Sequence, residues 1–405
     1  MTPGRSIAIS AGLVLAALGA AWLLPTTEQD ADAGEQASPR VRGGGKPTAT
    51  QPAAVQNWNF WRGDTGGTGV SASKLPAKPE LLWKYETGGA VLSSPVVSGK
   101  TVYIGSTDSK LHAVNLATGK KVWTYDANDS VEAAPLVVDG AVYVGTAGGV
   151  LHAVDAAKGK KLWTFETRDK ILGSANYVPG KDGKPAKILV GSYDYKMYCL
   201  DGKTGKKLWE YETGNYINGG PALEKGMVVF GGCDAMLYRV DVETGKDANS
   251  VALGAYIAAS PAYTDGRGYV GDYDGLFSCI DFAKGDFVWS GDGDEAFFSS
   301  PAVGKDVVVV GCRDGDVYSF DRKTGKTLWT FGTRGQVDSS PVIADGRVVV
   351  GSNDGRVYLI DLKKGTSTWS YITGDAVSSS PAVLDGKILI GSSDGFLYAF
   401  GKKRR

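Results

Sequence analysis

The stretch Ser340-Pro341-Val342-Ile343-Ala344-Asp345-Gly346-Arg347-Val348-Val349-Val350-Gly351-Ser352-Asn353-Asp354-Gly355 opens a unit that continues through Val357-Tyr358-Leu359-Ile360-Asp361 and Lys364-Gly365 to Trp369 and Tyr371. Its four apolar runs are short and rich in valine, isoleucine and aromatic residues, which suit a pleated, half-buried surface. The breaks between them are aspartate–glycine and lysine–glycine pairs. Aspartate accepts local backbone hydrogen bonds, and glycine takes the positive φ that tight hairpin turns require. The unit is expected to be a meander of four antiparallel strands.

Outward from this stretch the same order recurs. Ser94-Pro95, Ala134-Pro135, Gly220-Pro221, Ser260-Pro261, Ser300-Pro301 and Ser380-Pro381 occupy the place of Ser340-Pro341, and from Pro221 onward the prolines fall every 40 residues. Pro135 and Pro221 are two periods plus six residues apart; the six are Lys181 to Ala186, a polar loop insertion that leaves Ala175 in the third proline position. A second column holds Trp83, Trp123, Trp163, Trp209, Trp289, Trp329 and Trp369, with Asn249 at the remaining place. The two columns of eight are out of phase. The last repeat stops at Tyr398-Ala399-Phe400 without a fourth strand, whereas Leu81 to Tyr85 is a fourth strand with nothing before it.

Four strands per forty-odd residues make one propeller blade. The chain is therefore expected to be all-β, an eight-bladed β-propeller of four-stranded antiparallel blades, closed by the N-terminal strand around Trp83 joining the C-terminal repeat. Closure of this kind removes exposed sheet edges. The tryptophans are expected to be structural, each indole covering the glycine-rich turn of the next blade. The recurring aspartates (Asp108, Asp194, Asp234, Asp274, Asp314, Asp354, Asp394) are expected to be turn residues. Composition agrees, with 57 glycines, 10 tryptophans and 19 tyrosines in 405 residues.

Lysine plus arginine and aspartate plus glutamate balance at 44 each. No global field points to an acidic substrate, and no nucleic-acid partner is expected. Arg5 precedes an uncharged, largely apolar run from Ser6 to Leu24 with no cysteine after it for lipid attachment. Residues 1–25 are expected to be a signal peptide or N-terminal membrane anchor, 26–56 a disordered Ala/Gly/Pro-rich linker and 57–405 the propeller. The propeller is then exported, either tethered to an inner membrane and facing the periplasm or released into a bacterial cell envelope.

The string from Asp321 to Trp329, its copies at 115–123, 155–163 and 201–209, and the preamble Trp61-Arg62-Gly63-Asp64-Thr65-Gly66-Gly67-Thr68 resemble the tryptophan-docking repeats of quinoprotein-type propellers. The likeness to this pyrroloquinoline-quinone (PQQ)-like superfamily covers residues 58–401. Its members include quinone-dependent alcohol dehydrogenases and the non-catalytic BamB-like propellers of outer-membrane assembly, which this chain resembles most in character. In the redox members a quinone lies over Ca²⁺ near the ring axis, held by carboxylates and an amide. The matching column here stands three residues before the proline: Leu92, Glu132, Leu172, Asn218, Ala258, Phe298, Asp338 and Ser378. Glu132 and Asn218 match the calcium-ligand pair. The position that the resemblance gives to the catalytic aspartate holds Ala258, with Asp338 two blades further on, and the family's adjacent-cysteine disulfide has no counterpart.

The resulting expectation is a non-catalytic ring with an axial pocket containing Glu132, Asn218 and Asp338, without cofactor or metal. It would act as a monomeric scaffold holding a protein or peptide partner at one face, in envelope or outer-membrane protein assembly. A PQQ- and Ca²⁺-dependent dehydrogenase and a glycan- or ligand-sensing ectodomain are the alternatives. Tyr216, Tyr256, Phe297 or Phe298 would be the contact anchors. Cys199, Cys233, Cys279 and Cys312 are expected to be buried free thiols, being too far apart to bridge. His112 and His152 share a column with Tyr198 and Tyr358 and are expected to replace tyrosine in a strand. The acidic loop Asp292-Gly293-Asp294-Glu295 lacks the spacing of a calcium-binding EF-hand.

Overall fold

The computed structural model describes residues 57–403, so the expectations for 1–25 and 26–56 lie outside it. These residues form eight sheets and, among themselves, no helix. Seven blades are continuous in sequence, at 96–126, 136–166, 176–212, 222–252, 262–292, 302–332 and 342–372. The eighth combines the last three strands of the chain with Glu80–Glu86, which pairs antiparallel with Phe396–Gly401 so that Trp83 faces Ala399. The out-of-phase columns are thus reconciled by closure across the chain ends.

The outermost strand of seven blades carries a bulge immediately before its tryptophan. In blade 2 the register passes from Lys161 opposite Val154 to Trp163 opposite Ala153, skipping Leu162. The bulge lets two adjacent apolar residues face different ways. Leu162 turns outward and is 52 % exposed, while Trp163 lies against the next blade. Each indole N–H donates to a carbonyl in that neighbour, as Trp83 does to Leu116 (3.1 Å), Trp209 to Val242 (2.9 Å) and Trp329 to Leu362 (2.9 Å). The turn beneath must be glycine for two reasons: Gly325 has φ +74°, and a Cβ on it would lie 2.7 Å from the Trp289 ring. Asn249 keeps the pattern without an indole, its amide donating to the Phe282 carbonyl at 2.5 Å. Trp369 departs from it. Blade 8 has no outer turn beyond it, and the indole packs edge-on to Phe400 instead, at 5.3 Å between centroids.

Around the axis the Ser-Ser-Pro segments form a belt. Ser260, Ser300 and Ser340 each donate a backbone N–H to the serine hydroxyl 40 residues on, and Ser380 closes the ring onto Ser94 at 2.9 Å. Inside the belt runs a strap, residues 58–73, that touches the innermost strand of every blade. Trp58 bridges to Val97, the Asn59 carbonyl accepts from Val137, and Thr65 accepts from Asn176 and Leu223. Gly66, Thr68 and Gly69 then accept from Tyr263, Val303 and Ile343, and Ser71 donates to the Val383 carbonyl.

The Arg62 guanidinium is buried at the centre of this strap, 2 % exposed. It donates to the carbonyls of Ser340 (2.9 Å), Pro301 (2.9 Å) and Pro341 (2.5 Å). Burial lowers its pKa to about 9, only partly opposed by Asp64.

Two sets of loops define the faces. Blade-to-blade loops (87–95, 127–135, 167–175, 213–221, 253–261, 293–301, 333–341, 373–381) share one face with the turns at 106–109, 146–149, 192–195, 232–235, 272–275, 312–315, 352–355 and 392–395. A repeated backbone bond ties them, from Thr107 N–H to Ala90, Tyr193 to Lys170, Cys233 to Tyr216, Tyr273 to Tyr256 and Arg313 to Ala296. The remaining turns make the opposite face.

Candidate functional site

The blade-to-blade loops owe their positions to an apolar residue in each. Val131, Ile171, Ile217, Ile257, Phe297, Val337, Val377 and Val91 are wholly buried. Each sits where a Cβ on a strand-end glycine would collide with it, as Val131 does over Gly105 and Ile217 over Gly191. With that side chain wedged over glycine, the following residue is presented at the axis. This is why the column of Glu132, Asn218 and Asp338 converges. All three line one axial cavity of about 170 Å³, with Leu172, Ala258 and Phe298 from the same column, the serine belt and Trp61 of the strap. A second, larger groove of about 710 Å³ lies on the opposite face between blades 5 and 6. It is lined by turn residues and the strand ends Arg267, Asp281 and Asp321, and its Arg322 is already paired with Asp265 at 2.7 Å, so the axial cavity is the better candidate.

The three polar side chains are held differently. Asp338 is committed: Arg313 Nε lies 2.8 Å from one oxygen and Asn353 donates to the other at 3.0 Å. The same guanidinium stacks on Phe298, 3.4 Å from the ring centroid. Asn218 accepts from the Tyr193 hydroxyl at 2.5 Å. Glu132 accepts from Ser130 at 3.0 Å and forms no ion pair among the described residues.

A second column, unmarked in the sequence reading, completes the mouth. The third residue of the Gly-x-x-Asp turns supplies the partners of Asn218, Phe298 and Asp338, through Tyr193, Tyr273, Arg313 and Asn353, and places Cys233 beside them. Its signal was available in part: it is the most varied position of these turns, although the second position varies as well (Ser192, Gly232, Asp272, Cys312) and blade 2 has Gly148 in place of the aspartate. Together with the first column it creates an aromatic crescent over blades 3 to 6. Tyr195 meets Tyr216 (5.2 Å), Tyr216 stacks on Tyr193 (4.9 Å), Tyr256 meets Tyr273 (6.2 Å) and Tyr273 meets Phe298 (4.8 Å). Burial and the nearby Cys233, Tyr273, Asp169 and Glu132 raise the Tyr193 hydroxyl to about 12, so it stays protonated and donates.

Tyr216 and Tyr256 are exposed, 39 % and 56 %, and Phe298 lines the cavity, but Phe297 is wholly buried under its glycine and is no contact anchor. The four thiols are free as expected, yet Cys233 is only half-buried because its turn opens onto the mouth. The Asp292–Glu295 loop gathers no cation site, since no group of three His, Cys, Asp or Glu is placed for a metal among the described residues.

His112 does stand in for tyrosine. It contacts Asp108 through Nε2 at 3.1 Å, as the Tyr358 hydroxyl contacts Asp354 at 2.5 Å. His152 has Gly148 where that aspartate would be, and its buried Nε2 has no partner.

A family model described as "Outer membrane protein assembly factor BamB" (PQQ_2) matches residues 67–214, 179–252 and 297–404. The chain belongs to this PQQ-like propeller family. Among solved structures, BamB from Moraxella catarrhalis is 21 % identical with a TM-score of 0.66, over 80 % of this chain and all of that one. The quinohemoprotein alcohol dehydrogenase from Comamonas testosteroni is 16 % identical with a TM-score of 0.72, over 86 % of this chain and 81 % of that one. The computationally designed Ika8 protein is 18 % identical with a TM-score of 0.71, over 80 % and 99 %. At these identities the likeness is one of fold. No curated protein sequence matches the chain.

The residues fit the quinone of the redox branch poorly. Pyrroloquinoline quinone is a tricarboxylate, whereas the cavity is lined by two carboxylates and by no lysine or arginine. The position matching the catalytic aspartate is the methyl group of Ala258, and Asp338 is already neutralised by Arg313. No step through a quinone follows from this lining.

Proposed function

We propose that this member of the PQQ-like propeller family is an exported, non-catalytic binding ring that holds a protein or peptide partner at the mouth of its axial cavity, in a bacterial envelope or outer-membrane assembly setting. Residues 1–25 would tether it to the inner membrane and 26–56 would let the ring stand away from the bilayer. The observation that carries this reading is the state of the axial lining. Asp338 is spent on Arg313 and the position matching the catalytic aspartate is an alanine, while exposed tyrosines flank one side of the opening. Loops on a rigid scaffold that vary while the strands stay constant are where binding function concentrates. Aromatic residues of this kind carry most of the energy at protein interfaces.

The experiment is a titration of the full chain with pyrroloquinoline quinone and Ca²⁺, followed by alcohols and a redox dye. The expected result is no saturable quinone uptake and no dye reduction. Stoichiometric uptake with dye reduction lost in Glu132→Ala would establish the dehydrogenase instead.

A further inference from the structure

The balance of charge in the sequence conceals a strong separation in space. The mouth-face loops and turns delimited above carry fifteen aspartates and glutamates against four basic residues, Arg168, Lys170, Arg313 and Arg334. The turns of the opposite face (99–100, 139–140, 179–186, 225–226, 265–266, 304–306, 345–346, 385–386, and 116–120, 156–160, 202–206, 242–250, 282–285, 322–326, 362–366) carry seventeen lysines and arginines against eight acids. The cause is the repeat itself. Each Gly-Ser-x-Asp turn places an aspartate on one face, and each Thr-Gly-Lys turn places a lysine on the other. A chain of zero net charge therefore presents an acidic, tyrosine-lined mouth.

We infer that this mouth docks a lysine- or arginine-rich extended segment of a partner protein; the inference rests on the scaffold reading above and names the chemistry of the partner. Three observations converge. The field of the face favours a cation and raises its rate of encounter. The crescent offers the faces of Tyr195, Tyr216, Tyr256 and Tyr273, each about two-fifths or more exposed, to which cations are drawn by the ring quadrupole. The site also contains one example of the contact it would make: Arg313 lies on the Phe298 ring at 3.4 Å while pairing with Asp338 at 2.8 Å. Glu132, at the cavity wall and without a cation, stands ready for a second such side chain. Recognition goes through side chains, because the backbone N–H groups of the mouth turns already bond across the loops at Thr107, Tyr193, Cys233, Tyr273 and Arg313. Strand addition, which needs free backbone donors, has no foothold there.

The test uses the full chain in a neutral detergent and two fluorescein-labelled unstructured peptides of one length, one lysine-rich and one with glutamate in place of each lysine. Fluorescence anisotropy should rise saturably with the lysine peptide alone, and affinity should fall roughly tenfold when salt is raised from low to several-fold physiological strength. Tyr216→Ala and Tyr256→Ala, both at exposed side chains, should each weaken binding by roughly fivefold or more. Asp375→Lys on the mouth face should weaken it too, and Asp182→Lys on the opposite face should not.

The inference is overturned by absence of saturable binding, by equal binding of the glutamate peptide, or by equal effects of Asp375→Lys and Asp182→Lys. If the lysine peptide fails but a partner captured from membranes is lost in the Tyr216→Ala/Tyr256→Ala double variant, the chemistry assigned here is wrong and the scaffold reading stands. If that partner is retained as well, both fail.

Discussion

At the scale of single residues, the repeat shows what each position does by what happens where one copy lacks it. His152 is the clearest case. Its relative His112 has Asp108 to accept from Nε2, and the tyrosines of the other blades donate to the same aspartate column. With Gly148 in that place, burial has nothing to oppose it except a contact between Nδ1 and the Tyr125 hydroxyl at 3.0 Å, and the His152 pKa falls to about 4. The unfolded chain takes up a proton near pH 6.5 that the folded chain refuses until about pH 4. Stability due to this residue is therefore complete above pH 6.5 and is lost as pH falls toward 4. The linked change is about 3 kcal/mol. His152→Phe should flatten this part of the acid limb, so that melting temperature drops less between pH 7 and pH 4.5 than in the parent. An unchanged acid limb would show that His152 is not what titrates.

At the scale of the element, each outer strand is fastened to the next blade by one side chain, and the fastening depends on backbone conformation as much as on side-chain type. Trp329→Ala removes both the cover over Gly365 and the hydrogen bond to Leu362, and should cost about 2–3 kcal/mol in denaturant unfolding. Restoring the column at its gap should not help. Asn249 has φ +76°, and the outer strand of blade 4 has shrunk to Val251–Ala252. Tryptophan there would be forced into the left-handed region, so Asn249→Trp should lower stability by about 1–2 kcal/mol despite completing the repeat. A gain in stability would contradict this account of the gap.

The strands, the eight-fold count and the closing strand were all legible in the sequence. The proline and tryptophan periods are set by local turn chemistry and by contacts between adjacent blades. The axial column was also legible, since it follows a uniformly apolar position. The second column of the mouth was not singled out, because Tyr193 and Arg313 look like turn residues until the ring brings them against Asn218 and Asp338. Phe297 stands in that same apolar column, so the repeat already marks it as the residue over Gly271, and reading it as a contact anchor was the misplacement. The strap was read only as a resemblance. Its contacts span more than three hundred residues, and nothing periodic in 58–73 announces them.

At the scale of the whole molecule, a closed ring separates the two ends of every blade onto two faces, and the repeat gives those faces opposite charge. One end of the channel is occupied by the strap, with Trp61 reaching the cavity and Arg62 buried among carbonyls. The other end carries the tyrosine crescent on the side of blades 3 to 6. The proposed docking function belongs to one face only. The most direct measurement is site-specific photo-crosslinking in the cells that express the protein, with a benzophenone amino acid at position 256 on the mouth face or at position 323 on the lysine-bearing face. The account predicts a discrete crosslinked partner from position 256 and none from position 323. A partner crosslinked from position 323 and not from 256 would contradict it.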